Sequence, residues 1–538
     1  MVERLRTALR ANRRATWGAL REAMQRPTPL PRQFGDLVER VRIPGIDEVE
    51  AALRGLPALT RAVARAALDH PALATTLDAH DLLVPADIDR MSARRPGTGD
   101  AMADLDALLS EVAPGAVPLG RAWLQSGQAI DELTALSTAS VTWERAGAMR
   151  RGEPVPDDLV LLAATPSPRE WVRDVVTALP EAALGFAGTA ALALATDPEP
   201  LVVHAVTPQA LPAALLWYTG PRAHVASLRD RGTRHGLHLH AEGIDRNGTP
   251  LPLRDEADVY RALDLPPIPV ELRHRPDSIE RAVSGTLPRL VDIEDIRGDL
   301  HMHTVWSDGR DSMASMVHAS RMLGYRYIAI TDHSPTARAS RVLTLDKLAR
   351  QADEVAAMRE AHPDITILHG IEVDIQADGS VDVPDPVLAT LDIVLASLHE
   401  HHGHGPDRLL TRYVSAMRHP LVNVITHPAN RSPGRVDGYA LDFGALFEEA
   451  ARTGTAVEVD GAPGHLDLDA PLAEAAAAAG AMIAVDSDCH VAERLGRQMA
   501  FGVALARRAC LGPAQVLNTQ DVAGVRAFVA AKRAGRPW

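Results

Sequence analysis

The sequence predicts a multidomain α/β protein whose C-terminal half closes into a barrel of parallel strands and helices. Three observations predict it. The chain has 538 residues, enough for several domains. From about residue 300 onward, short apolar runs alternate with helix-length segments. Nearly every run ends in a histidine or a carboxylate.

In chain order, the series opens with Asp299-Leu-His301-Met-His303-Thr-Val-Trp-Ser-Asp308-Gly309. Tyr327 to Ile330 then precedes Thr331-Asp332-His333, and Ile365 to Leu368 precedes Gly370-Ile-Glu372. Ile393 to Leu395 leads to Ser397-Leu-His399, Val422 to Ile425 to Thr426-His427-Pro428, and Met482 to Val485 to Asp486-Ser-Asp488-Cys-His490. Apolar runs of about four to eight residues read as strands buried on both faces. Leu345 to His362 and Leu441 to Thr453 read as helices between them. Alternating strands and helices imply a parallel sheet. A barrel brings the carboxyl ends of its strands together at one rim, so one pocket is expected to hold all these side chains.

Imidazoles and carboxylates without a thiolate set suit Zn, Mn and Fe and argue against a structural zinc site. Six histidines and three carboxylates in the set imply two or three ions sharing a carboxylate. Neighbouring ions roughly 3.5 to 4 Å apart stabilise both the attacking and the leaving oxygen of a phosphoryl displacement. The expected chemistry is phosphoester hydrolysis.

The set resembles the polymerase-and-histidinol-phosphatase (PHP) phosphoesterases over about residues 294 to 538. The resemblance implies a distorted seven-stranded barrel binding two or three divalent ions, Mn or Zn. It implies nine metal ligands: His301, His303, Asp308, His333, Glu372, His399, His427, Asp488 and His490. Glu372 matches the bridging carboxylate, and Glu372, Asp308 and Arg431 are the expected catalytic residues. Arg431 matches a position that grips substrate phosphate, for which guanidinium geometry is suited; a surface arginine in a loop is the other reading. Asp332 reads either as a residue orienting a ligand or as a strand-end cap. The extra histidines of Glu400-His401-His402-Gly403-His404 read as solvated or as a stray metal site.

The preceding region resembles bacterial family X DNA polymerases that carry a C-terminal PHP domain. Tyr218-Thr219-Gly220, Leu228-Arg229 through Gly236-Leu237, and Val259-Tyr260 through Glu271-Leu272 match that family's thumb in order and spacing. The implied division is a helical domain at 1–115, a nucleotidyltransferase-like palm at 116–210, a thumb at 211–275, a linker at 276–293 and the barrel at 294–538. Nucleotidyl transfer in this family needs a Gly-Ser pair and three aspartates, because magnesium requires hard oxygen ligands. Here the Gly-Ser position reads Gly147-Ala148, the Asp-x-Asp position reads Asp158-Leu159-Val160, and the third aspartate aligns with Val202. Polymerisation is therefore expected to be lost. The N-terminal helix-hairpin-helix element is also worn: Ile43-Pro44-Gly45-Ile46-Asp47 puts an acid where a second phosphate-approaching glycine is expected. Arg4, Arg6, Arg10, Arg13, Arg14, Arg21 and Arg26 make the first helix basic, either a nucleic-acid contact or a solvated face.

A formal net charge of -14 is unhelpful for a non-specific DNA binder. Some of that acidity belongs to the metal site, where ions would reverse the local field. Two cysteines, Cys489 and Cys510, make no disulfide framework. The most apolar tract, Ala178 to Thr196, is broken by Pro180 and Glu181, so no membrane contact and a cytoplasmic location are expected. Three functions remain open at this stage: a 3′-to-5′ exonuclease on DNA ends, a phosphatase for a small phosphate ester, and non-catalytic DNA-end binding by the polymerase-like region.

Overall fold

The computed structural model describes residues 117–179, 184–187, 190–194, 201–337, 339–434 and 436–538. The expected N-terminal helical domain, its Gly45 hairpin and its basic first helix lie outside the described residues. The chain forms two compact units, one ending at Ile279 and the other beginning at Glu280.

The first unit holds a five-stranded sheet of β1 (Thr142–Ala146), β2 (Leu159–Ala164), β3 (Leu184–Ala187), β4 (Ala191–Leu194) and β5 (Leu201–Val206). The order is β1-β2-β5-β4-β3, with only β2 and β5 parallel. All six residues of β2 are buried, as expected of a central strand. The helix Pro168–Ala178 turns Trp171 inward to meet Trp143 edge to face at 5.7 Å. Beyond this sheet lie a small antiparallel one, β6 (Leu237–His240), β7 (Gly243–Arg246) and β8 (Thr249–Pro250), and the helices Leu211–Thr219, Arg222–Arg234 and Glu256–Ala262. Buried His224 is 2.9 Å from the Tyr260 hydroxyl, and Arg273 closes a 2.7 Å ion pair on Glu256.

The second unit is a seven-stranded, all-parallel sheet: β9 (Gly298–Asp299), β10 (Tyr327–Ile330), β11 (Thr366–Asp374), β12 (Ile393–Ser397), β13 (Val424–Ile425), β14 (Ala456–Asp460) and β15 (Ile483–Asp486). The strands lie in sequence order, and a parallel bridge from Met302 to Cys489 links the first strand's end to the last. The result is the expected distorted seven-stranded barrel. Its interior stacks Ala329, Leu368, Leu395, Val424, Ala456 and Ala484 from six strands against Val525 and Phe528 of the helix Val522–Arg533. Full burial of a side chain of Phe528's size stabilises by roughly 1.5–3 kcal/mol. The intervening helices start where the sequence offers caps: Thr344 accepts from Lys347 N, Asp442 from Ala445 N and Asp521 from Gly524 N. No helix among the described residues is long and apolar enough to cross a membrane.

Two local readings change. Only Val424 and Ile425 of the run from Val422 form β13. Glu372 lies inside β11 and not past its end, because pairing with β12 continues to Asp374. It is fully buried there.

Candidate metal centre

Apart from Glu372 inside β11, the barrel rim is built by residues that follow its strands. Beyond β9 the chain carries His301 and His303, both fully buried, with their Nε2 atoms 3.0 Å apart. Beyond β10 comes His333, whose Nδ1 is 2.6 Å from Glu372 Oε2. Both atoms are shut from solvent and neither makes a hydrogen bond of good geometry. His427 Nε2 lies 3.2 Å from Glu372 Oε1, and His399 Nε2 lies 3.7 Å from the same oxygen. After β15, Asp488 Oδ1 is 3.0 Å from His303 Nε2 and 3.6 Å from His301 Nε2. Asp308 lies 3.2 Å from His490 and 3.5 Å from His333. All nine expected residues thus come together around Glu372. His427 and Asp488 sit at φ +29° and +47°, backbone that a side chain rarely adopts without a compensating constraint.

Charges at this rim push neighbouring groups in opposite directions. Burial alone would raise Glu372, but the rings of His333, His301 and His399 outweigh it and hold the carboxyl well below the usual range. Burial disfavours a charged His301, yet Glu458, Glu372 and Asp488 hold its pKa well above normal. His427 and His490 are likewise raised to about 9 by their carboxylates against burial. His303 is pushed down to about 3 by burial and by the rings of His333 and His490. Protonated rings here balance buried carboxylates, a role that divalent cations can take by displacing those protons.

The residues fit such cations. Donor atoms of His303, Asp308, His333 and His490, of His301, His303 and Asp488, and of His333, Glu372 and His399 each lie within 4.8 Å of one another. Buried His303 Nδ1 also has no hydrogen-bond partner.

Residues outside the nine hold this set in place. Glu458 of β14 receives His301 Nδ1 at 2.6 Å and the His427 backbone N–H at 2.7 Å. Asp374 lies 3.1 Å from His399 Nδ1. Both roles went unread in the sequence, although a carboxylate inside the buried run Val457-Glu458-Val459 was a signal for one of them. Asp332 makes its bonds to the loop ahead of it: it accepts from the N–H groups of Thr304 and Ser307 and from their hydroxyls, and so fixes the segment carrying Asp308. Arg431 is ion-paired to Asp469 at 2.9 Å, and its N–H is bound to Asp467. His401 and His402 are exposed, and neither they nor His404 join any donor group among the described residues.

In the five-stranded sheet, Val160 of β2 pairs directly with Val202 of β5. Asp158, just before β2, accepts the Ala148 N–H at 2.6 Å beside Gly147, which turns at φ +63°. Asp157 lies 3.8 Å from Arg151. The position that retains a carboxylate is thus committed to its own loop.

The barrel, its rim and a match of the PHP domain family to residues 299–426 define a metal-dependent phosphoesterase. The DNA polymerase beta thumb family matches residues 214–274. The chain is 33% identical over 422 residues to the DNA polymerase/3′-5′ exonuclease PolX of Bacillus subtilis strain 168, covering 77% of this chain and 73% of that protein. It belongs to that family of PHP-bearing bacterial family X polymerases. A probable phosphatase of Syntrophotalea carbinolica is 31% identical over 233 residues, 41% of this chain and 90% of the relative. The solved histidinol phosphate phosphatase of Lactococcus lactis covers 40% of this chain and 93% of its own, at 16% identity and a TM-score of 0.32.

Proposed function

We propose that the barrel cleaves phosphodiester bonds at DNA 3′ ends, in the 3′-to-5′ direction. In this reading two or three divalent ions, Mn or Zn, are held by His301, His303, Asp308, His333, Glu372, His399, His427, Asp488 and His490. One observation carries the choice of DNA: a palm-like sheet and a thumb persist in the same chain as the donor set, and similarity to PolX extends over 422 residues instead of the 233 matched by the phosphatase. A small ester would need only the barrel.

Bound ions would supply Lewis-acid charge to the phosphoryl oxygens. The chain's own part is to bind, orient and neutralise. Glu372 gathers five rings within 3.7 Å and is the carboxylate suited to being shared. Glu458 and Asp374 fix the rings of His301 and His399. Asp308, held down to about 2 by the rings of His490 and His333 against burial, stays ionised at the open side of the rim. Arg431, tethered by Asp469, is the proposed phosphate contact. The palm does not polymerise in this reading, since the paired Val160 and Val202 offer no oxygen to magnesium. Unbridged Cys489, buried beside Asp488, fits a reducing cytoplasm.

The test is a comparison of Mn-stimulated rates on a primer-template, a single strand and a panel of small phosphomonoesters, with His303→Ala as the blank. Stepwise shortening of the primer supports the proposal. Phosphate release from small esters alone would replace it with a metabolic phosphatase.

A further inference from the structure

We propose that Asp460 and His465, with Asp488, form an additional position for a divalent transition-metal cation at the edge of the nine-residue set. The proposal rests on the reading above that the rim holds metal, and it adds two donors that reading does not use.

Asp460 ends β14 and pairs across the sheet with Asp486, two residues before Asp488. Its side chain is fully buried. One oxygen accepts the Ala462 N–H at 2.6 Å, and the other, Oδ2, has no hydrogen-bond partner and no access to solvent. His465 follows in the next loop, where Leu466 is turned to φ +43°. Its ring stacks on His427 at 5.0 Å between centroids, and its Nδ1 is also buried without a partner. One donor atom from each of Asp460, His465 and Asp488 lies within 4.8 Å of the others.

Buried polar atoms are almost always hydrogen-bonded, yet Asp460 and His465, which each bring a donor atom within 4.8 Å of the other and of Asp488, both keep a buried polar atom without a partner. A carboxylate, an imidazole and a second carboxylate are the donor types of Mn, Fe and Zn sites and do not suit an anion. Three protein donors also leave coordination positions open. Asp488 would then be shared, since its Oδ1 already faces His303 and His301. Stacking of His465 on His427 ties the added position to the nine-residue rim.

The experiment counts ions per chain by elemental analysis after the full-length protein is stripped with chelator and dialysed against Mn2+ or Zn2+ alone. Asp460→Asn and His465→Gln, single and combined, keep side-chain volume and remove a donor. Each folded variant is expected to hold one ion fewer than the unaltered chain. Equal counts would overturn the added position and leave the nine-residue site standing, whereas an unaltered chain that binds no ion would overturn both. Should the variants not fold, anomalous scattering from crystals of the unaltered protein grown in Mn2+ decides. A peak among Asp460, His465 and Asp488 supports the position; peaks elsewhere on the rim but not there refute it.

Discussion

Glu458→Gln isolates what holding the ligands is worth. One carboxylate oxygen of Glu458 meets His301 Nδ1 at 2.6 Å and the other accepts the His427 N–H at 2.7 Å, so one side chain orients two of the nine donors from different strands. Glutamine keeps the shape but loses the charge, and its single carbonyl oxygen can accept only one of those two hydrogens while its NH2 opposes the other. Removing such a supporting partner typically costs 10–100-fold in metal affinity or activity. That corresponds to roughly 1.4–2.7 kcal/mol, spread over the two rings. The assay is hydrolysis rate against free Mn2+ for both proteins. The half-saturating concentration is expected to rise about 10–100-fold, with most of the maximal rate recovered at saturation because all nine donors remain. An unmoved half-saturation would refute the claim that Glu458 positions His301 and His427.

Other substitutions test other links. His303→Ala and Glu372→Ala each remove a rim donor and no hydrophobic core residue, so cleavage is expected to fall at least about a hundredfold while the far-UV circular dichroism spectrum stays native; retained Mn-dependent turnover in both would contradict the site. Restoring carboxylates with Val160→Asp and Val202→Asp is expected to give no primer extension, because Asp158 remains bound to the Ala148 N–H; primer extension by the unaltered chain would contradict that account of the palm. In the first unit, burial lowers His204 to about 4, and burial with the charge of Arg273 lowers His224 to about 3. Above the ordinary histidine pKa neither matters. As pH falls below about 6.5 the unfolded chain takes up protons that the folded unit refuses, so each residue costs about 1.4 kcal/mol per pH unit until its folded pKa is reached. The urea midpoint of the first unit is expected to drop from pH 7 to pH 5, and His224→Gln should flatten that slope; an unchanged slope in the variant would show that His224 is charged in the folded state.

The barrel was legible because its strands are apolar on both faces, so runs such as Tyr327–Ile330 stand out and their following histidines mark one rim. The strand β14 was missed for the same reason: Glu458 and Asp460 interrupt its apolar run, and nothing in the spacing says that these carboxylates face inward. For Asp332 the sequence leaves two readings open, a ligand-orienting residue or a strand-end cap, and names no partner, since the loop from Thr304 to Ser307 folds back on it only in three dimensions. His465 lies in a loop without strand-end periodicity, where sequence gives no means of separating a buried donor from a solvated ring. In the five-stranded sheet, Val202, which aligns with a missing aspartate, is a physical neighbour of Val160, because the parallel register sets the two side by side.

On the proposed reading, the rim around Glu372 hydrolyses phosphoesters only when it holds divalent ions. The most direct measurement strips the full-length protein with chelator, confirms the loss of metal by elemental analysis, and follows shortening of a 5′-labelled primer as Mn2+ is returned. The stripped protein is expected to show no cleavage, with recovery as ions bind that is absent in Glu372→Ala. Cleavage by the metal-free protein, or equal recovery in Glu372→Ala, would contradict that reading.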